Sequence, residues 1–290
     1  MGIKKELMFF SRSFRLAGVI IASVVFALIS PLLMKFSYSM ISGLMETESG
    51  QEISEAFDED NLSISSSSGM SFGLVGDMLG DEELMAKMGV ISSVGDLTNT
   101  LMLIFMLVTM YSAGGELKKR SMIIPQNAGL TPKLYILPKF LVFPLIGGIL
   151  AFVGVWLSFG MTALMFGAAA VGLSDLALTA LLAAVFNAFM ITLYFTLGIC
   201  TKKAGVSVVI MYGGNAILTT LFQALGASKF HPFALIPQCQ ELIAAGEADL
   251  ANIWGSIGVT LLLMALCYFV TLFVVSAKKI DNRGVEEMEL

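Results

Sequence analysis

The sequence predicts an all-α integral membrane protein, and three observations carry that expectation. Hydrophobic residues fill 57% of the 290 positions and charged residues only 13%, where soluble domains carry about one half and one quarter. Mean hydropathy is +0.85. Six apolar runs, 17–36, 96–114, 140–170, 176–201, 204–225 and 253–277, approach or exceed the roughly 20 residues that cross a hydrocarbon core about 30 Å thick. Basic residues are also segregated: of 17 Lys and Arg, only Lys35, Lys87 and Lys229 fall on one side of these runs. Lys and Arg resist translocation, so the side holding the other fourteen is read as cytoplasmic, with both termini inside a multi-pass protein of the plasma (cytoplasmic) membrane.

Taken in order, residues 2–16 precede the first run. Ile3, Leu7, Phe10 and Phe14 share one helical face, while Lys4, Lys5, Ser11 and Arg15 lie largely on others, which predicts an amphipathic helix along the inner membrane surface. No cleavable signal is expected, because this stretch is polar and the run after it lacks a small-residue cleavage site. Residues 37–95 are expected to form an acidic extracellular loop, with eleven carboxylates from Glu46 to Glu83 and a twelfth, Asp96, just beyond it. Such a loop either attracts cations or is simply kept soluble by its charge, and the second reading is the more usual one. Within it 63–68 is low-complexity, and 81–90 could form a short helix leading into the second run.

Residues 115–139, GELKKRSMIIPQNAGLTPKLYILPK, form the longest polar connector on the inner side. Span three carries small residues at Gly147, Ala151, Gly154, Ser158 and Thr162, a spacing that lets helices approach closely, here within the subunit. Short connections make spans three to four and four to five antiparallel hairpins. Residues 226–252, containing FHPFALIPQCQELIAAG, are too apolar for a plain loop and too broken by Pro232 and Pro237 to cross. A re-entrant pair of short helices dipping in from outside is expected there.

Apart from boundary residues such as Lys35 and Asp96, none of the six runs contains an Asp, Glu, Lys, Arg or His. That pattern argues against a proton-coupled carrier, an intramembrane protease and a metal-dependent membrane hydrolase. His231 is the only histidine, and Cys200, Cys239 and Cys267 lack metal or disulfide spacing. No GxxxxGK[ST] loop is present, so ATP is not bound by that device. Neutral polar residues inside the runs, Asn99, Asn187, Asn215 and Gln223, with Thr192 and Thr219, are pathway candidates. Singly, each is more simply a hydrogen bond between helices, at about 1 kcal/mol.

Two stretches resemble the permease subunits of ABC-2 type transporters. The first is Glu116, then the basic patch, then NAGLTPKLYILPK. Lys139 stands where the family has a Lys, Ser121 could stand for its Thr, Gly129 takes the place of a Pro, and Ile123 or a neighbour replaces an acid. The second is HPFALIP from His231, followed by Gly246 and Asp249, which is similar to the family's outer re-entrant helices. The acidic outer segment is longer than in minimal members. The resemblance implies an interfacial helix, six transmembrane helices, a cytoplasmic coupling helix between spans two and three, and an outer re-entrant hairpin. It also implies a second permease chain, identical or homologous, and two ABC ATPase subunits.

On that resemblance Glu116, Lys118, Lys119, Arg120, Gln126 and Asn127 would couple the chain to its ATPases. The chain itself would have no catalytic site and no cofactor, with ATP and magnesium on the partner ATPase, lipid around it and no nucleic acid. Its function would be the membrane-spanning half of an exporter of a peptide, a drug-like compound or an ion. The alternatives are a secondary carrier or channel driven by an ion gradient, and a non-transport membrane sensor or scaffold. A carrier should show an inverted repeat, and residues 17–170 and 176–277 show no such similarity.

Overall fold

The computed structural model describes residues 14–45, 82–109, 132–166, 171–201, 210, 217, 220–226, 229–245 and 249–277. Six α-helices follow in chain order: α1 Phe14–Met45, α2 Glu82–Thr109, α3 Pro132–Phe166, α4 Leu173–Thr201, α5 Leu235–Ala245 and α6 Leu250–Ala277. A short 3₁₀ turn, Pro232–Ala234, leads into α5. No strand occurs among the described residues. Among the described residues five helices are long and apolar enough to cross a membrane, through Ala17–Ser37, Ala86–Met106, Ile136–Phe166, Leu173–Thr201 and Leu250–Val275.

The order of packing follows from which helices carry small residues. A Cβ added to Gly89 would touch Thr162, one on Gly154 would touch Leu97, and one on Gly147 would meet Phe105 and Ile191. The pairs 89/162, 97/154 and 105/147 run in opposite directions, so α2 and α3 are antiparallel. Gly148 lies against the Ala184 carbonyl and Phe140 against Phe195, which makes α3 and α4 antiparallel too. Ala151, Ser158 and Thr162 are buried on the same side. The small-residue stripe therefore serves packing inside the subunit, as expected.

Helix α4 is the centre. It packs on α2, α3, α5 and α6, and 61% of its apolar window is buried against 28% for α1 and for α6. Two of its buried polar side chains are met within their own helix: Asn187 donates to the Ala183 carbonyl at 2.9 Å and Thr192 to the Ala188 carbonyl at 2.8 Å. Each donor bonded in this way needs no water. Thr196 and Thr271 meet at 3.2 Å, and Ile199 clusters with Val275. At the opposite end Cys239 of α5 lies on the Thr179 carbonyl at 3.7 Å, and Gln238 of α5 reaches Ser256 of α6. Helices α4 and α6 thus run parallel, and Thr201 and Lys229 lie at opposite ends of the bundle.

Several sequence boundaries are revised. Helix α1 continues to Met45 and α2 begins at Glu82, so both flanks of the expected 37–95 loop are helical. Residues 82–90 are not a separate short helix but the start of α2. Residues 132–139 of the connector are the first two turns of α3, with Pro132 at the first helical position, where its missing N–H is not needed. The expected re-entrant pair is one turn and one helix of 11 residues. Leu235, Cys239, Leu242 and Ile243 bury one face of α5 while Glu241 and Ala244 stay exposed, the spacing of an amphipathic helix. The helical residues 220–224 end at Gly226, whose φ of 68° is the left-handed turn that glycine adopts freely. Most of the expected interfacial helix, of the fifth run and of the connector lies outside the described residues.

Candidate functional site

Three places bear on function. The first is the joint where the connector meets the bundle. Ile136 is fully buried and Lys139 only 2% exposed at the start of α3, and Lys139 is engaged by its surroundings. Lysine is rarely buried so far unless it has a partner. Phe140 meets Phe195 of α4 edge-on at 4.9 Å and Tyr268 of α6 at 5.5 Å, and Phe143 stacks on Phe195 at 6.4 Å. Aromatic pairs in these geometries contribute about 0.5–1.5 kcal/mol beyond burial. The start of α3 is therefore fastened to two other helices at once.

The second place is a polar stripe on α2. Asp96, a boundary residue of the apolar run 96–114, has helix on both sides of it in α2, and the stretch Ala86–Met106 around it is apolar enough to cross a membrane by length and composition. Its carboxylate accepts a hydrogen bond from Ser30 of α1 at 2.7 Å, inside the α1 window Ala17–Ser37. Lys35 sits in the same α1 window, donating to the Met165 carbonyl at the end of α3, a free helix-terminal acceptor. Asn99 lies one turn beyond Asp96, and both are exposed, as is Leu103. The three share one face of α2, and none of the described helices covers it. An ionised carboxylate is costly in lipid, by about 2.5–3.5 kcal/mol on insertion scales, which makes this stripe a candidate for contact with water or with protein.

The third place is the end of the bundle built by residues 220–253. Here His231 is buried, its ring near Phe222 at 5.9 Å and Phe233 at 6.4 Å. Burial pushes its imidazole below the usual 6.5, so it is neutral at physiological pH. Cys239, read from sequence as a loop cysteine, is fully buried against α4, and burial pushes its thiol far up. Such a thiol is unreactive.

The named candidates separate accordingly. Asn99 is on the exposed α2 stripe, Asn187 is buried in α4, and Gln223 is exposed beside the 220–253 end. Asn215 and the connector residues Glu116, Lys118, Lys119, Arg120, Gln126 and Asn127 lie outside the described residues. Asp96 was read from the sequence as the boundary of the second run, and twelve residues of moderate hydropathy before it, Glu83 to Val94, belong to the same helix. Among the described residues no three His, Cys, Asp or Glu side chains group to hold a metal ion.

No family model, no curated protein and no solved structure matches the chain. The fold by itself defines the class: an all-helical protein with several crossings' worth of long apolar helix.

Proposed function

We propose that this chain is the membrane-spanning permease subunit of an ATP-binding cassette exporter, working as a dimer with a separate ATPase. One observation carries the reading most. The polar connector ends on a helix start that is locked at once to α4 and α6 through Phe140, Phe195 and Tyr268. A push on residues 115–131 would be passed into the centre of the bundle rather than absorbed at its edge. The resemblance of GELKKR and NAGLTPKLYILPK to the coupling segment of ABC-2 permeases supports the same role.

In this reading the end holding the Phe140 joint is cytoplasmic, by the distribution of Lys and Arg. The apolar run 204–225, most of which lies outside the described residues, is read as a further crossing, a reading supported by Thr201 and Lys229 standing at opposite ends of the bundle. The Asp96–Asn99 stripe faces the shared pathway. The test is to express the chain with a tag in its native cells and purify it. An ATPase chain should co-purify, and replacing Lys118, Lys119 and Arg120 together with Ala should lower the ATPase rate of the complex. Transport by the purified chain alone, without nucleotide, sinks the proposal.

A second reading, a carrier driven by a proton or cation gradient, is favoured by Asp96, a carboxylate within a helical stretch apolar enough to cross a membrane. Uptake or efflux that follows an imposed gradient without ATP, and that is lost in Asp96→Asn, would select it.

A further inference from the structure

Helix α3 carries two prolines in its interior, Pro138 and Pro144. A proline has no N–H to give the carbonyl four residues back, and its ring crowds that carbonyl. Pro144 therefore leaves the Phe140 carbonyl without its helical donor, and Pro138 does the same to Leu134. Sharp bends in long helices fall at such places. The two breaks differ in what they divide. Pro138 has only 132–137 before it, whereas Pro144 parts 132–143, which carries the Phe140 joint, from 145–166.

The parts on either side of Pro144 are held in different ways. Beyond it the helix is seated at backbone distance. A Cβ on Gly148 would stand 3.2 Å from the Ala184 carbonyl oxygen of α4, and one on Gly147 or Gly154 would run into Ile191 of α4 or Leu97 of α2. Such close seating leaves little sideways travel. Before Pro144 the contacts are between rings: Phe140 with Phe195 at 4.9 Å and Tyr268 at 5.5 Å, and Phe143 with Phe195 at 6.4 Å. Aromatic pairs attract over centroid separations of about 4.5–7 Å, so these rings slide across one another while still in contact. An apolar groove of about 430 Å³ runs along the break, lined by Phe140, Pro144 and Gly148 of α3, Ala188 of α4 and Met264 of α6. It gives the Phe140 end room to move without driving atoms into a close-packed core.

We propose that α3 is hinged at Pro144: residues 132–143 turn as a lever against α4 and α6, while 145–166 stay seated on α2 and α4. A push arriving at Pro132 then goes sideways into Phe195 and Tyr268 rather than along α3 to Leu97. The hinge goes beyond the permease reading and does not rest on it, because every residue that sets it belongs to this chain.

The experiment uses the full chain purified in detergent, its native cysteines replaced by Ala, with pairs of spin labels and an excess of unlabelled chain so that only distances within one chain are read. Leu103 of α2 is the fixed point. One pair, Leu103→Cys with Leu137→Cys, reaches across the hinge; the other, Leu103→Cys with Leu164→Cys, stays on the seated side, and all three positions are exposed. Leu137 lies seven residues before Pro144, a lever of about 10 Å, so a tilt of about 20° moves it by about 4 Å. Pulsed dipolar spectroscopy should give a distance distribution about 4 Å broader for the first pair than for the second. Pro144→Ala restores the missing N–H in a better helix former, and it should bring the first pair to the width of the second. Pro138→Ala should leave the first pair as broad as before. Where Pro144→Ala does not fold, Pro144→Leu, which restores the same N–H, decides. Equal widths in the unaltered helix overturn the proposal. So does a first pair left broad when Pro144 is replaced, or one narrowed as much by Pro138→Ala.

Discussion

At the scale of single residues, Asp96 carries the most consequence. The run drawn on hydropathy, 96–114, starts at it, because the residues before it are less apolar. The helix does not stop there, since Ser93 and Gly89 pack into α3 and Ser93 bonds its own helix at Gly89. The uncovered stripe of Asp96 and Asn99 is expected to meet water. Asn99→Cys, in a chain whose native cysteines are removed, should react with a membrane-impermeant cationic thiol reagent at least about tenfold faster than Leu262→Cys, because a thiol in lipid does not ionise. Leu262 is 66% exposed on the apolar face of α6. Equal rates would mean that α2 presents this stripe to lipid or to protein.

His231 offers a second check at this scale. Its folded imidazole is held below the usual 6.5 by burial, whereas the unfolded chain takes up its proton near that value. The stabilisation is therefore complete above about pH 6.5 and is lost as pH falls below it. The melting midpoint of the purified protein should drop between about pH 7.5 and about pH 5.5. His231→Phe, next to Phe222 and Phe233, should flatten that drop. Lys229, Glu241 and Asp249 line one cavity with His231, and an identical slope in the variant would move the effect onto them.

At the scale of elements, the joint at the start of α3 differs in kind from the rest of that helix. Phe140 touches α4 and α6, while Phe152, also on α3, is exposed and meets only Trp156 of its own helix in a tilted pair at 6.4 Å among the ring contacts of the described residues. Phe140→Ala is expected to cost about 2 kcal/mol or more, toward the range for buried Phe truncations. Phe152→Ala should stay within about 1 kcal/mol. Thermal unfolding in detergent measures both, and equal losses would mean that Phe140 is not a joint. The same scale explains α5. Pro232 and Pro237 argue against a crossing helix, and the structure uses Pro237 in the first turn, where no N–H bond is lost. What the sequence did not reveal was how deeply α5 is buried, because Cys239 and Leu242 bury only once α4 and α6 stand beside them.

At the scale of the whole molecule, the parallel run of α4 and α6 has a direct topological consequence. In a chain with native cysteines removed, Lys202→Cys and Lys229→Cys should be labelled from opposite sides of the membrane by an impermeant maleimide. Labelling of both from one side would remove the sixth crossing.

The sequence by itself determined the class of protein, the approximate course of α1, α3, α4 and α6, and the uneven distribution of charge. Those properties are local and additive: a stretch of apolar residues must form a helix in lipid because its backbone has no other partner. Tertiary structure decided the rest. Whether Asp96 is a boundary or an interior residue depends on how far α2 continues, and that is set by its contacts with α1 and α3. Whether residues 226–252 form a loop or a walled cavity depends on Lys229, Gln238 and Ser256 meeting from three segments of chain. No periodicity within one segment encodes such a meeting, because its free energy exists only after the helices have packed.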